Sequence, residues 1–206
     1  MRFILFIVIC MGLFLPAARA DVVSDPLPGV GTIEAYLNGI STLRAHFTQT
    51  ASDGKEAEGT FLLKRPGRMR FDYAPPVPDF IVADGLLVYY YDGKMKQQSN
   101  VPIRKSLADF FLRANLTLAG DVTVMDIRRE AGFLNVLLIQ TGHPDTGSLT
   151  LGFSEHPLQL RKWRVIDEQG LTTEVALSNI ETGIDLSNNL FHYYDPALKE
   201  TPYGRN

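Results

Sequence analysis

The side chains able to do chemistry are few and scattered. The four histidines, His46, His143, His156 and His192, show no ligand spacing such as H-x-x-x-H, so the pattern that places two imidazoles on one metal is missing. The single cysteine, Cys10, falls in an apolar leader, which leaves the rest of the chain without thiol nucleophile, disulfide or thiolate ligand. No G-x-S-x-G elbow marks a serine nucleophile. The Asp and Glu residues stand at turns and on strand faces, where solvated charge is the ordinary state, and nothing points to a working carboxylate pair. A protein without catalytic residues, metal or cofactor is therefore expected.

One concentrated group stands out. Lys64, Arg65, Arg68 and Arg70 interleave with Met69, Phe71 and Tyr73. In a chain with a formal charge of −3 and a pI near 5.8, this is not the footprint of a nucleic-acid binder. It reads either as a solvated hairpin tip or as a basic rim that meets lipid headgroups or an acidic partner surface. Arg65 shares strand parity with Phe61 and Leu63, which aims its guanidinium toward apolar surroundings. A cation placed there needs hydrogen-bond acceptors. The ordinary alternative is an exposed arginine flanking a turn.

The elements that must position these residues are mostly strands. Ile33, Tyr36, Leu37 and Ile40 recur at helical spacing after Thr32, which predicts a short capped helix. From Leu43 onward the pattern alternates. Strands are predicted within 45–50, 60–65, 68–73, 80–83 and 86–91, with Pro66-Gly67 and Asp84-Gly85 as turns. Ser106 to Ala114 predicts a second helix, capped by Ser106 with Asp109 in a capping box and Leu107, Phe110, Phe111 and Ala114 on one face. Strands resume within 122–128, 133–140, 148–153, 158–166 and 171–179. Ten sequential strands imply an antiparallel meander curled into a barrel or half-barrel, with two helices placed to cover its mouth. Strands such as 86–91 and 134–139 are apolar on both faces, which suggests an interior pocket.

The first twenty residues have the layout of a cleavable secretory signal: Arg2, an apolar run from Phe3 to Leu15, and Ala18-Arg19-Ala20 before Asp21. Removing 20 of 206 residues leaves 186, and the loss of Arg2 and Arg19 moves the formal charge from −3 to −5. Cys10 lies within the run behind bulky Val8 and Ile9, so it is not a lipid-accepting cysteine. One domain over 21–206 is expected, in an exported chain long enough to bury a core unaided.

Four stretches resemble the LolA family of outer-membrane lipoprotein carriers. They are Arg44-Ala45-His46-Phe47-Thr48-Gln49, the hairpin from Leu62 to Tyr73, Phe80-Ile81-Val82-Ala83-Asp84-Gly85, and Val88-Tyr89-Tyr90-Tyr91. In order and spacing they cover about residues 33 to 114. The later half is similar in architecture more than in motif. The resemblance implies a mainly β fold, an open half-barrel with an α-helical lid over an apolar cavity. It implies a monomeric periplasmic carrier that takes acylated lipoproteins from an inner-membrane ABC-type transporter and passes them to an outer-membrane receptor. That receptor is itself a lipoprotein, and the missing acceptor cysteine favours the soluble carrier. It further implies that Arg65 latches the lid through backbone carbonyls near Leu37 and around Phe110, Phe111 and Leu112. Phe47, Met69, Phe71, Val82, Val88 and Tyr89 are the expected cavity residues, with plain core packing as their alternative. The chain departs from the family, which often carries aromatics in the third strand, in having Met69 and Phe71 flanked by Arg68 and Arg70, and in lacking a proline in the second lid helix. A free glycolipid or phospholipid cargo fits the same fold, and an acyl-chain-sensing regulatory module is an alternative of another class.

Overall fold

The protein is described from a computed structural model, over residues 27–106 and 108–196. The leader, Cys10 and Leu107 lie outside the described residues. A helix, α1 (Val30–Gly39), precedes six strands: β1 (Thr42–Ala51), β2 (Glu56–Lys64), β3 (Arg68–Tyr73), β4 (Phe80–Asp84), β5 (Leu87–Asp92) and β6 (Gln97–Pro102). A 3-10 turn at Ile103–Lys105 and a short helix, α2 (Ala108–Leu112), lead into β7 (Val122–Glu130), β8 (Phe133–Gln140), β9 (Gly147–Ser154), β10 (Gln159–Asp167) and β11 (Thr172–Thr182).

The eleven strands of the described residues form one antiparallel sheet in the order β6-β5-β4-β3-β2-β1-β11-β10-β9-β8-β7. Two meanders are thus joined by the long pairing of β1 with β11, from Leu43↔Thr182 to Ala51↔Thr173. The sheet curls but does not close, so among the described residues β6 and β7 are its unpaired edges. The chain between them, carrying α2, crosses that seam. The sheet reaches this curvature partly through register shifts in β1, β7 and β10.

Strand alternation sends Leu43, Ala45 and Phe47 of β1, Phe61 and Leu63 of β2, and Met69 and Phe71 of β3 to the inner face. Leu134, Val136 and Leu138 of β8 and Leu151 and Phe153 of β9 join them. At about 25 cal/mol per Å² of buried apolar surface, this inner layer is the main source of stability. Gly59 is required for it. A Cβ there would lie 2.0 Å from Asp72 O and 2.9 Å from the Phe47 ring. The β2–β3 turn needs Gly67 for another reason: its φ is +79° and its Cα side abuts Gly85 of the next turn.

The helices differ from the sequence expectation in their starts. α1 begins at Val30 behind Gly29, which supplies no side-chain cap, and Thr32 lies inside the helix. Ser106 receives the Asp109 N–H at its carbonyl oxygen, at 3.1 Å. Its hydroxyl donates back to Ile103 O at 2.8 Å, and the Asp109 carboxylate is taken by Arg113 rather than by a capping box. The strand β6 was not expected from the sequence at all.

Candidate functional site

Both helices lie on the inner face of the sheet. Ile33 and Leu37 of α1 are fully buried there, and Tyr36 meets Phe153 edge-on at 5.8 Å. The Tyr36 hydroxyl accepts a hydrogen bond from Leu160 N at 2.8 Å, which ties α1 to β10, and burial raises its pKa. Phe110 and Leu112 of α2 are buried, while Phe111 packs against Trp163 at 5.1 Å.

Beneath α2 lies a hollow of about 950 Å³, at the upper end of the roughly 300–1,000 Å³ of small-molecule sites. Its floor is Phe61, Met69, Phe71 and Trp163, with Leu138, Leu149 and Val165 along the β8–β10 wall and Phe110 and Phe111 as the roof. The mouth is polar, with Arg104 and Lys105 of the 3-10 turn on one side and the loops at 141–147 and 167–168 on the other. An apolar interior with a charged rim suits a ligand with greasy and polar ends. The described residues include no cluster of three or more His, Cys, Asp or Glu side chains placed to hold a metal ion.

Arg65 joins the two helices. β2 ends at Lys64, and Arg65 opens the turn, its own N–H donating to Ser41 O at 2.8 Å. Its side chain donates through Nε to Phe111 O at 2.7 Å and through Nη1 to Leu37 O at 2.5 Å. Gly67 N adds a bond to Leu112 O at 2.9 Å. Both side-chain acceptors are neutral carbonyls, and burial pushes the guanidinium pKa down.

A second arginine was not anticipated. Arg113 donates to Asp109 through Nε at 2.9 Å and to Asp121 through Nη1 at 2.9 Å, closing α2 onto the start of β7. These hydrogen bonds, that to Asp121 first, hold its pKa above the usual value, and Arg113 in turn holds the Asp121 carboxyl below 3.8. On the other helix, Asn38 brackets Leu116, donating to its carbonyl at 2.9 Å and accepting from its N–H at 2.8 Å. Glu34 accepts from Leu118 N.

The expected cavity residues separate into two groups. Met69 and Phe71 line the hollow, and Phe47 lies under Phe71, with ring centroids 5.0 Å apart. Val88 packs against the same inner core without reaching the hollow. Val82 and Tyr89 do not face it. Pairing places Leu62, Arg70, Val82 and Tyr89 in one row across β2 to β5, and Phe61, Phe71 and Ile81 in the next, so the two rows face opposite ways. The outer row is covered by the segment after β11, where Tyr193 stacks on Tyr89 at 4.8 Å and Phe191 and Leu186 cover Leu62. Trp163 and Phe61 were missed as lining residues, although Trp163 alternates with Val165 and Phe61 with Leu63 in readable strand patterns.

Comparison with known proteins gives a consistent result. The family model described as outer membrane lipoprotein carrier protein LolA matches residues 38–194. An outer-membrane lipoprotein carrier protein of Methylobacillus flagellatus is 28% identical over 96% of this chain and 97% of its own length. One from Methylococcus capsulatus is 28% identical over 80% of this chain and 83% of its own. Among solved structures, an uncharacterized conserved protein from Thermus thermophilus superposes with a TM-score of 0.50 at 12% identity, covering 82% of this chain and 97% of that one. That likeness bears on the fold alone.

Proposed function

The chain belongs to the LolA family of outer membrane lipoprotein carrier proteins, which are carriers rather than enzymes, and from that premise we propose that it ferries lipoproteins across the periplasm. In this reading the leader at 1–20 exports the chain and is removed, and the mature protein receives cargo from an inner-membrane ABC-type transporter and hands it to an outer-membrane receptor. The observation that carries it is the aromatic-floored hollow roofed by α2, which one half-buried arginine ties to α1.

The energetics favour such a device. Three acyl chains of roughly fifteen methylenes, at ~0.8 kcal/mol per CH₂, cost about 35 kcal/mol to expose to water. A carrier must offer apolar surface and must also keep it covered when empty. It must bind below the full transfer value, or unloading stops. A lid that competes with the ligand meets both needs, because binding then includes the work of opening. Arg65, Leu37, Phe110 and Phe111 form that lid contact, and Met69 and Phe71 belong to the surface it covers.

The test is transfer. The exported chain is incubated with inner-membrane vesicles that hold a labelled outer-membrane lipoprotein, with and without ATP. ATP-dependent appearance of a soluble one-to-one complex is the expected result. A protein that leaves the lipoprotein in the membrane but extracts a phospholipid or glycolipid would move the function to that cargo, and one that takes up neither would end the carrier reading.

A further inference from the structure

The two free edges of the sheet are defended very differently. β7 carries a register shift between Val124 and Asp126 and ends in Asp126, Arg128, Arg129 and Glu130, with ion pairs such as Arg128–Asp126 at 3.3 Å. Bulges and charges of this kind keep an edge from recruiting another strand. β6 has neither. Its sequence Gln97-Gln98-Ser99-Asn100-Val101-Pro102 contains no charge, all six residues are exposed, and the six pair with β5 in unbroken register.

The direction of its backbone groups follows from the pairing. Ile103 donates its N–H to Leu86 O at 3.0 Å. Antiparallel alternation then turns the groups of Val101, Ser99 and Gln97 toward β5, and those of Gln98 and Asn100 outward. Pro102 falls at the next outward position, where it has no N–H to offer. Among the described residues nothing pairs with this outer edge.

The place of β6 decides what it suits. It runs straight into Ile103–Lys105, whose Arg104 and Lys105 line the mouth of the hollow. A polypeptide whose acylated first residue sits in the hollow leaves through that mouth beside Pro102. Travelling away from the mouth, it runs antiparallel to β6. We infer that β6 binds the extended segment following the acylated residue of the cargo, by strand addition. This rests on the carrier reading and deepens it. Strand addition draws affinity from main-chain hydrogen bonds, and an uncharged edge imposes no side-chain requirement, which suits a carrier that accepts unrelated cargo proteins.

The experiment compares synthetic ligands on the full chain, exported and purified from the periplasm of its host. One ligand is a triacylated cysteine alone. A second adds a neutral Ser/Asn/Gly segment of about eight residues, enough to span β6 at ~3.4 Å per residue. A third is the second with alternate backbone nitrogens methylated. The segment is expected to tighten binding about tenfold, the scale of two or three added backbone hydrogen bonds, and to slow amide exchange at Gln98 and Asn100. Methylation removes both effects. Asn100→Pro removes an outward donor without touching the β5 ladder, so it is expected to abolish the gain and leave binding of the acylated cysteine unchanged. If that variant does not fold, the methylated ligand on unaltered protein decides. Equal affinity for all three ligands overturns this inference and leaves the carrier reading standing. Binding of none overturns both. Amides at 98 and 100 that are already protected without ligand, increasingly so with protein concentration, mark a second copy at this edge and also overturn it.

Discussion

Arg65 and Arg113 both hold α2, and their electrostatic settings are opposite. Arg113 sits between two carboxylates, Asp109 and Asp121, in a partly exposed network where its charge is neutralised. Arg65 donates to two neutral carbonyls on different helices, and no described carboxylate pairs with it. Ion pairing raises the pKa of the first guanidinium, whereas desolvation lowers that of the second. A neutralised arginine clamps locally and is screened by salt. A desolvated one makes strong hydrogen bonds while the helices stay in place, yet gains hydration as soon as they part. We propose the second as the contact at which the lid opens, because the hydration its guanidinium regains offsets part of the hydrogen bonds lost.

The largest expected effect breaks the Arg65 contact. Arg65→Leu removes both donors and frees Leu37 O and Phe111 O to water, so the closed state loses stability relative to the open one. A hydrogen bond from a charged donor contributes about 1.5–3 kcal/mol, and the hydration that Arg65 regains on opening offsets part of the two lost. A fluorescent acyl probe that requires the open state should therefore bind roughly ten- to a hundredfold tighter, and hand-over to a membrane acceptor should slow in proportion. Arg65→Lys should fall between, since one ammonium cannot fork to two separate carbonyls. Equilibrium titration of the three proteins checks this, and equal affinities would remove Arg65 from the opening step.

The sequence shows the elements around this contact only in part, and the reasons are physical. The strands with apolar alternation are legible in the residues, as is the spacing of Ile33, Tyr36 and Leu37 in α1. β6 is not, because Gln97 to Pro102 has no apolar face and its conformation comes entirely from pairing with β5. Val82 and Tyr89 mislead for another reason. Their strands are apolar on both faces because a segment far along the chain, with Phe191 and Tyr193, covers the outer one. An apolar strand does not announce which face meets a cavity and which meets a tail. Arg65 was readable from its parity with Phe61 and Leu63 and from the resemblance. Asp109 and Arg113 stand at i, i+4 spacing, but the role of Asp121 depends on how the chain turns after α2.

An intermediate effect tests whether the helices are held by Arg65 alone. Asn38 brackets the backbone of Leu116 with two neutral hydrogen bonds, together contributing about 1–3 kcal/mol. Asn38→Ala should lower the melting temperature by roughly 2–4 °C per kcal/mol lost in a domain of this size. Its effect on probe affinity should be far smaller than that of Arg65→Leu, because these bonds fasten α1 to a loop rather than to α2. Calorimetry beside the same titration separates the two. A gain in affinity as large as that of Arg65→Leu would mean that the 116–118 loop moves with the lid.

The smallest effect sharpens the contrast in charge. Arg113→Gln should cost under about 1 kcal/mol at neutral pH and low salt, the range of exposed ion pairs. The sign with pH follows from Asp121, whose folded pKa lies below 3.8, chiefly through its hydrogen bond from Arg113. Such a group contributes stability that is present above the unfolded value and is lost as pH falls through the folded one. The difference between wild type and Arg113→Gln should therefore shrink below about pH 4, and it should shrink again near 1 M salt, where screening acts within about 3 Å. The difference between wild type and Arg65→Leu should persist under both conditions, because its acceptors are carbonyls that neither titrate nor carry net charge. Urea midpoints for the three proteins across this grid give the answer directly. If the Arg113 difference survives acid and salt unchanged, the clasp works through packing and hydrogen-bond geometry, and the two arginines are less different in kind than their partners suggest.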